Sequence, residues 1–376
     1  MTSGTARTAP AWPDLPEVAR DVLLEVLIHG AMLRAELATR LRLSRPTLTR
    51  ATRTLVLAGL LVEGGTELRS STGRPSELLR VRGEAHHFLG VKLTGDRLFA
   101  SVTDLTATVV GTAEEPLRST DPDDVVARIA DVAATLPAVT GIGVTLGGIV
   151  HDGVVAQAEF LGWEDVPLVA RVAEATGVPT SADNDVQALT SAEQWFGAGA
   201  GLTSMALITV GAGVGCGLVV GGRLVEGSHG LPPRVAHILV DPSGPECGYG
   251  HRGCASSYLM THVMLRGLDG PPTYEEAVER ALAGDPDAKR VFDDAGYALG
   301  VLIGTVANLV DPQKVLLTGD GLPLYEVSAA RVRDGIEATF EADTALIDLD
   351  VRPFDFSEWA RSAAALAIRT TLTTVI

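Results

Sequence analysis

The chain has 376 residues, 46% of them hydrophobic, enough to bury two or three sizeable cores, which excludes an intrinsically disordered protein. Three cysteines are too few for a disulfide framework and point to a reducing, cytoplasmic compartment. The net charge of −17 hides an asymmetry: twelve Arg against eight Asp and Glu leave residues 1–83 at +4 and the remainder at −21. Residues 1–13, rich in Thr, Ala and Pro, lack the segments of a signal peptide and are expected to form a disordered lead.

Apolar residues at Val18, Val22 and Val26, with Leu23 and Leu27, predict a helix over 16–28 that Gly30 ends. Residues 34–42 predict a second short helix. Ser44 is a natural N-cap for a third, over 45–58, and Pro46 does little harm in its first turn, where N–H groups have no intrahelical partner. Leu48, Ala51, Leu55 and Val56 form its buried side, which leaves Arg45, Thr47, Thr49, Arg50 and Arg53 facing outward. Strands over 59–63 and 77–82, with Arg74 in the loop between them, complete a winged helix-turn-helix, an α+β domain over 14–83. Between Arg34 and Arg53 six Arg face a single acid, Glu36, and such a cationic face is what phosphate contacts require. An Arg-rich helical bundle with a solvated face is the bland alternative. The cap, the turn length, the hairpin and the one-sided Arg cluster agree with one another against it. The expected partner is a double-stranded DNA operator, with Arg45, Thr47 and Arg50 nearest the bases and Arg74 at the backbone.

From His87 onward strands alternate with helices, which means an α/β domain over 88–376. Strands are expected over 88–93, 98–104 and 141–145, the last entering Leu146-Gly147-Gly148, and an amphipathic helix over 123–136. Asn184 and Asp185 precede a helical segment over 188–196, so Asp185 is either a proton acceptor or an acid favoured by the helix N-terminus. Thr203–Gly222 carries no charge, but its six glycines break it into strand, turn and strand, so no membrane span is expected. Further on, Cys247 and Cys254 flank a Gly-rich knuckle beginning ten residues after His237, which reads as zinc-ligand spacing.

The spacing His237-x9-Cys247-x-Tyr249-x4-Cys254 resembles the zinc motif of the ROK family (repressors, open reading frames, sugar kinases), in which a His and three Cys surround one zinc. Tyr249 stands at the missing Cys. The site is therefore incomplete, with water or His251 as fourth ligand or no metal at all, and zinc is expected to be weak or absent. The run Leu43-Ser44-Arg45-Pro46-Thr47 and Gly73-Arg74-Pro75 resemble the DNA-binding domain of ROK repressors. Leu161-Gly162-Trp163, Asp183-Asn184-Asp185, Gly211-Ala212-Gly213-Val214-Gly215 and Thr318-Gly319-Asp320-Gly321 extend the likeness from about residue 88 to 370. The resemblance implies an actin-like, two-lobed sugar kinase fold with a cleft lined by Gly147, Gly148, Asn184, Asp185, Arg234 and His237. It also implies that Asp185 matches the catalytic base.

The departures from the family kinases fall on the chemistry. Lys92 replaces an acid, only Gly95 remains of a glycine pair, Ala212 replaces a Thr, Phe160 an Asn, Arg234 a sugar-binding Glu, and Ser256 a second Glu. Phosphoryl transfer needs metal and donors placed around the phosphates, so Asp185 reads as a vestigial base and ATP is not expected to be used. Arg234 brings a donor suited to a carboxylate or phosphate, unless Pro232-Pro233 reshape the loop and turn it to solvent. The expectation is a non-enzymatic DNA-binding regulator, a repressor that senses a sugar-like effector as a homodimer or homotetramer. The alternatives are a zinc-dependent hexose kinase with an added DNA-binding domain, and a DNA-binding protein with no effector.

Overall fold

A computed structural model describes residues 11–67, 76–228, 231–270 and 273–373. Two compact units divide the chain, one holding Met1–Gly201 and Phe356–Ile376, the other Leu202–Asp355. The 14–83 segment thus lies inside the first unit, and the second is an insertion between two parts of the first.

The amino-terminal segment folds as helices α1 (Glu17–His29), α2 (Arg34–Arg40) and α3 (Arg45–Leu57), with strands β1 (Met32–Leu33), β2 (Leu61–Glu67) and β3 (Ser76–Val81) in the order β1-β3-β2. The Ser44 hydroxyl accepts the Thr47 N–H at 3.3 Å and Pro46 sits in the first turn of α3, as its sequence predicts. Helix α2 stops two residues earlier than expected because Leu41 and Arg42 form the turn, Arg42 at φ 52°, a left-handed conformation that periodicity does not reveal. Thr52 joins Leu48, Ala51 and Leu55 on the buried side of α3, and Val56, half-buried, packs against the same core.

Next come β4 (His87–Leu93), β5 (Arg97–Asp104) and β6 (Val109–Pro116), then α4 (Pro122–Thr135), β7 (Gly141–Leu146), a small antiparallel sheet of β8 (Ile149–His151), β9 (Val154–Ala158) and β10 (Trp163–Val166), α5 (Leu168–Thr176), β11 (Thr180–Asn184) and α6 (Asp185–Phe196). The large sheet runs β11-β7-β4-β5-β6, its last three strands antiparallel and β7 and β11 parallel to β4. Leu89, Val91 and Leu93 of β4 share a core with Val125 and Ile129 of α4 and Leu168 and Val172 of α5. The opposite face carries α12 (Phe356–Thr373), the last helix of the chain, which returns to this unit. Gly90 and Gly143 admit it: a Cβ on either would stand within 1.9 Å of the carbonyl oxygen of Ala360 or Ala363.

The second unit contains β12 (Met205–Val210), β13 (Val214–Val220), β14 (Arg223–Leu224), the short helices α7 (Ser256–Leu259) and α8 (Thr261–Arg266), α9 (Tyr274–Leu282), the long α10 (Pro286–Val310), β15 (Val315–Thr318), α11 (Pro323–Thr339) and β16 (Leu349–Val351). Its sheet, β14-β13-β12-β15-β16, repeats the topology of the first: an antiparallel meander of three strands extended by two parallel ones. This duplicated α/β architecture is the one the resemblance implies. Thr203–Gly222 forms β12, a glycine turn and β13, and no helix among the described residues is long and apolar enough to cross a membrane.

Candidate functional site

The outward face of α3 carries Arg45, Thr49, Arg50 and Arg53, all exposed, while Thr47 is half-buried with its hydroxyl 2.8 Å from that of Ser44. Arg34 and Arg40, from the same basic run, are spent inside the module on Glu63 and Glu25. Arg45, Arg50 and Arg53 enter no ion pair among the described residues, so their charge is available to an external polyanion. Arg74, expected in the wing, lies outside the described residues, as do residues 1–10 and His229.

Within the first unit the carboxyl ends of β4, β7 and β11 bring together Lys92, Gly147, Gly148, Asn184 and Asp185. Asn184 caps α6: its side-chain oxygen accepts from Val186 and Gln187 at 3.0 and 3.2 Å, while its amide donates to Gly148 O at 2.9 Å. Asp185 is therefore the first residue of the helix and not its cap. One Asp185 oxygen accepts the Val186 N–H at 2.9 Å and the other holds the Lys92 ammonium. Both side chains are nearly enclosed, 7% and 13% exposed, and the Lys92 nitrogen lies 5.1 Å from the centroid of the Trp359 ring. Lys92 and Asp185, 93 residues apart in sequence, thus form one ion pair. A lysine inside the apolar run of β4 signals that a counter-ion must exist, but not which one. Beside Lys92 in register, the buried Thr145 hydroxyl has no hydrogen-bond partner among the described residues. Phe160, 66% exposed, presents its ring to Gly147.

Arg234 and His237, the other expected effector residues, belong to the second unit, and Arg234 is exposed. His237 meets Cys247, His251 and Cys254 in a cluster whose ligand atoms all lie within 4.8 Å of one another. Gly250, at φ 79°, folds the chain after Cys247 back, and the Cys247 N–H bonds His251 O at 2.7 Å. Tyr249, 64% exposed, sets its ring edge-on to that of His237 with centroids 5.2 Å apart, and the exposed His251 brings its Nδ1 to 3.2 Å from that of His237. The sulfurs of Cys254 and Cys247 are 3.5 and 3.9 Å from His237 Nδ1. Zinc bonds of about 2.0–2.3 Å place tetrahedral ligand atoms roughly 3.3–3.8 Å apart; the distances of His251 and Cys254 from His237 Nδ1 lie close to that range, while the wider separations, up to 4.8 Å, would close on a two-His, two-Cys ion. Loss of water, followed by repulsion from His251 and Arg234, lowers the His237 pKa and favours the neutral imidazole. Ser256, expected where a sugar-binding Glu would stand, is buried with its hydroxyl 3.2 Å from Cys254 Sγ and 3.5 Å from His237 Nδ1, so it lines this cluster. Cys216 is apart from it, its thiol pushed up to about 12 by burial.

The ROK family model matches residues 88–362. The DNA-binding transcriptional repressor Mlc of Escherichia coli is 28% identical over 325 residues, covering 80% of this chain and 79% of its own. A solved ROK family transcriptional regulator, a homologue of the E. coli Mlc protein, superposes with a TM-score of 0.80 at 26% identity over 94% of this chain and 96% of that one. The ROK family glucokinase of Streptomyces griseus, solved with glucose and AMPPNP, gives 0.63 at 25% identity over 75% of this chain and 99% of its own.

Proposed function

The chain belongs to the ROK family, and from that premise we propose that it is a DNA-binding transcriptional repressor whose kinase-like part senses a sugar-like effector without phosphorylating it. The observation that carries the reading is the unpaired, exposed row Arg45, Arg50 and Arg53 on a helix capped by Ser44, in a chain that a repressor matches over 80% of its length. A dimer would present two such helices to half-sites separated by whole turns of DNA, so the operator should be an inverted repeat. Arg50→Ala should weaken operator binding by about 1–3 kcal/mol and relax preference at one base position. Quantitative footprinting at fixed salt checks this, and unchanged affinity with unchanged preference would remove α3 from the groove.

The kinase alternative is disfavoured by the pairing of Asp185 with Lys92, which leaves the one candidate base neutralised. The effector class is read from the same group of residues: Asn184, Gly148 and the paired Asp185 offer polar atoms beside the exposed Phe160 ring, a mixture suited to a sugar's hydroxyl and apolar faces.

For the second unit, zinc would be held by His237, Cys247, His251 and Cys254, where it would brace the loop between β14 and α7. Of the arrangements the sequence leaves open, the approach of His251 Nδ1 to within 3.2 Å of His237 Nδ1 favours the one completed by His251. Elemental analysis should then find one zinc per chain. His251→Ala should lower zinc affinity at least about 100-fold in competition with a chromophoric chelator, more than an outer-shell change typically costs. Wild-type retention of zinc by His251→Ala, alongside loss in Cys247→Ser, would exclude His251 as a ligand.

A further inference from the structure

The first unit holds a cavity of about 740 Å³ beside the end of α3, within the range of about 300–1,000 Å³ that small-molecule sites occupy. The turn after α3 contributes Gly59, strands β2 and β3 contribute Val62 and Arg80, and the connection that follows contributes Arg82, Glu84 and His86. Gly59 has φ 75°, and a Cβ built on it would meet Arg82 Nη1 at 3.7 Å, so the guanidinium lies over bare backbone.

The walls are fixed from both sides. The Arg82 N–H bonds Leu60 O at 2.8 Å, and the Leu105 N–H bonds Gly83 O at 3.0 Å. His86 Nδ1 lies 2.8 Å from Thr140 Oγ1, and the rings of His86 and Trp12 have centroids 4.8 Å apart, which brings the adjoining Pro13 to the cavity. Such a hollow is formed before any ligand arrives, so binding has little ordering of the chain to offset.

The charges on the rim say what would fill it. Arg80 and Arg82 are exposed, stand two residues apart on extended backbone, and enter no ion pair among the described residues. At a strand rise of about 3.4 Å per residue their Cα atoms are roughly 7 Å apart. Two guanidinium forks at that spacing can each take one carboxylate of a single short diacid. Glu84, exposed and likewise in no ion pair among the described residues, accepts hydrogen bonds only, so it suits a hydroxyl and repels a bare anion. The pair is not an extension of the start of the recognition face: about 1.5 Å per residue puts Gly59 roughly 20 Å along α3 from Arg45.

We propose that this cavity binds a small hydroxylated dicarboxylate, with Arg80 and Arg82 each holding one carboxylate and Glu84 accepting from the hydroxyl. Val62 and Pro13 pack against the carbon skeleton. The site is separate from Asn184 and Asp185, and its occupancy is measured without DNA, so it can fail while the repressor reading holds, and the reverse.

The test is isothermal titration calorimetry of the full chain at fixed ionic strength with malate, succinate and sulfate. Malate should bind saturably and about tenfold tighter than succinate, which lacks the hydroxyl, while sulfate, a dianion without a carbon skeleton, should not saturate. Arg80→Ala and Arg82→Ala should each weaken malate by at least about tenfold. Glu84→Ala should erase the preference for malate without weakening succinate. Val62→Trp should block both diacids with no change of charge. The three charge variants should keep a Tm near that of the wild type, because all three side chains are exposed. A wild type without saturable malate binding would overturn the proposal, as would malate binding that survives both arginine variants, or sulfate bound as tightly as malate.

Discussion

Replacing Lys92 by alanine should destabilise the first unit by about 3–5 kcal/mol, the usual cost of removing one member of a buried ion pair and leaving the other charge uncompensated. The pair qualifies because Lys92 and Asp185 are 7% and 13% exposed, and because the bond joins strand β4 to the start of α6. Asp185→Leu should cost a comparable amount by stranding the ammonium against Trp359. The double variant Lys92→Met/Asp185→Leu should recover most of the loss, since replacing both charges by apolar groups is often neutral or stabilising. On the thermal scale of a unit this size the single variants should fall by about 6–20 °C. Single variants that each fall by less than about 1 kcal/mol would show that the pair is solvated and inert. The same series addresses catalysis. A general base typically contributes about 10²–10⁴ in rate, but most of phosphoryl transfer is positioning and charge stabilisation. Wild-type protein should therefore release no sugar-dependent ADP, and freeing Asp185 by Lys92→Ala should not create turnover. An ADP-release assay over a panel of sugars checks both.

What could be read in advance depended on how local the cause was. Helix α3 was legible because Ser44, Pro46 and the apolar stripe of Leu48, Ala51 and Leu55 act within a few residues of one another. The alternation of strands and helices likewise announced the α/β class. The division of the chain was not legible, because the first unit is completed by α12, and only the close approach at Gly90 and Gly143 tells where that helix lies. Site chemistry followed the same rule. Lys92 and Asp185 were each noticed as single residues, yet their pairing depends on β4 and β11 flanking β7 in the sheet. His251 was one of three open possibilities until the turn at the left-handed Gly250 brought its Nδ1 to 3.2 Å from that of His237.

Truncating Ile368 to alanine should loosen the amino-terminal module although the residue lies 285 positions beyond residue 83, the end of that module. Ile368 of α12 is fully buried in a continuous core with Val22, Leu23 and Val26 of α1, Leu55 of α3, Phe88 of β4 and Ala192 of α6. The module therefore does not own its core: α1 packs against the helix that begins at Asp185, and α12 contributes Ile368 and Leu372 to the same cluster. Deleting three carbons from such a site costs about 2–5 kcal/mol, the amount depending on how far the surroundings collapse. Because the core is shared, the loss should spread through it. Hydrogen exchange should show amide protection falling together in α1, α3, β4 and α12, and urea melts followed by signals from these elements should coincide. Protection in α1 and α3 that stays at the wild-type level while β4 and α12 lose theirs would show that the module folds independently. The expected coincidence has a functional consequence, since an effector ordering Asn184 and Asp185 at one end of α6 would act on a helix whose Ala192, Trp195 and Phe196 already lie in or against the core of the DNA-binding module. Ile368→Ala should then weaken the change in operator affinity that the effector produces, as well as lowering stability, because the packed element that joins the two sites has lost its fit.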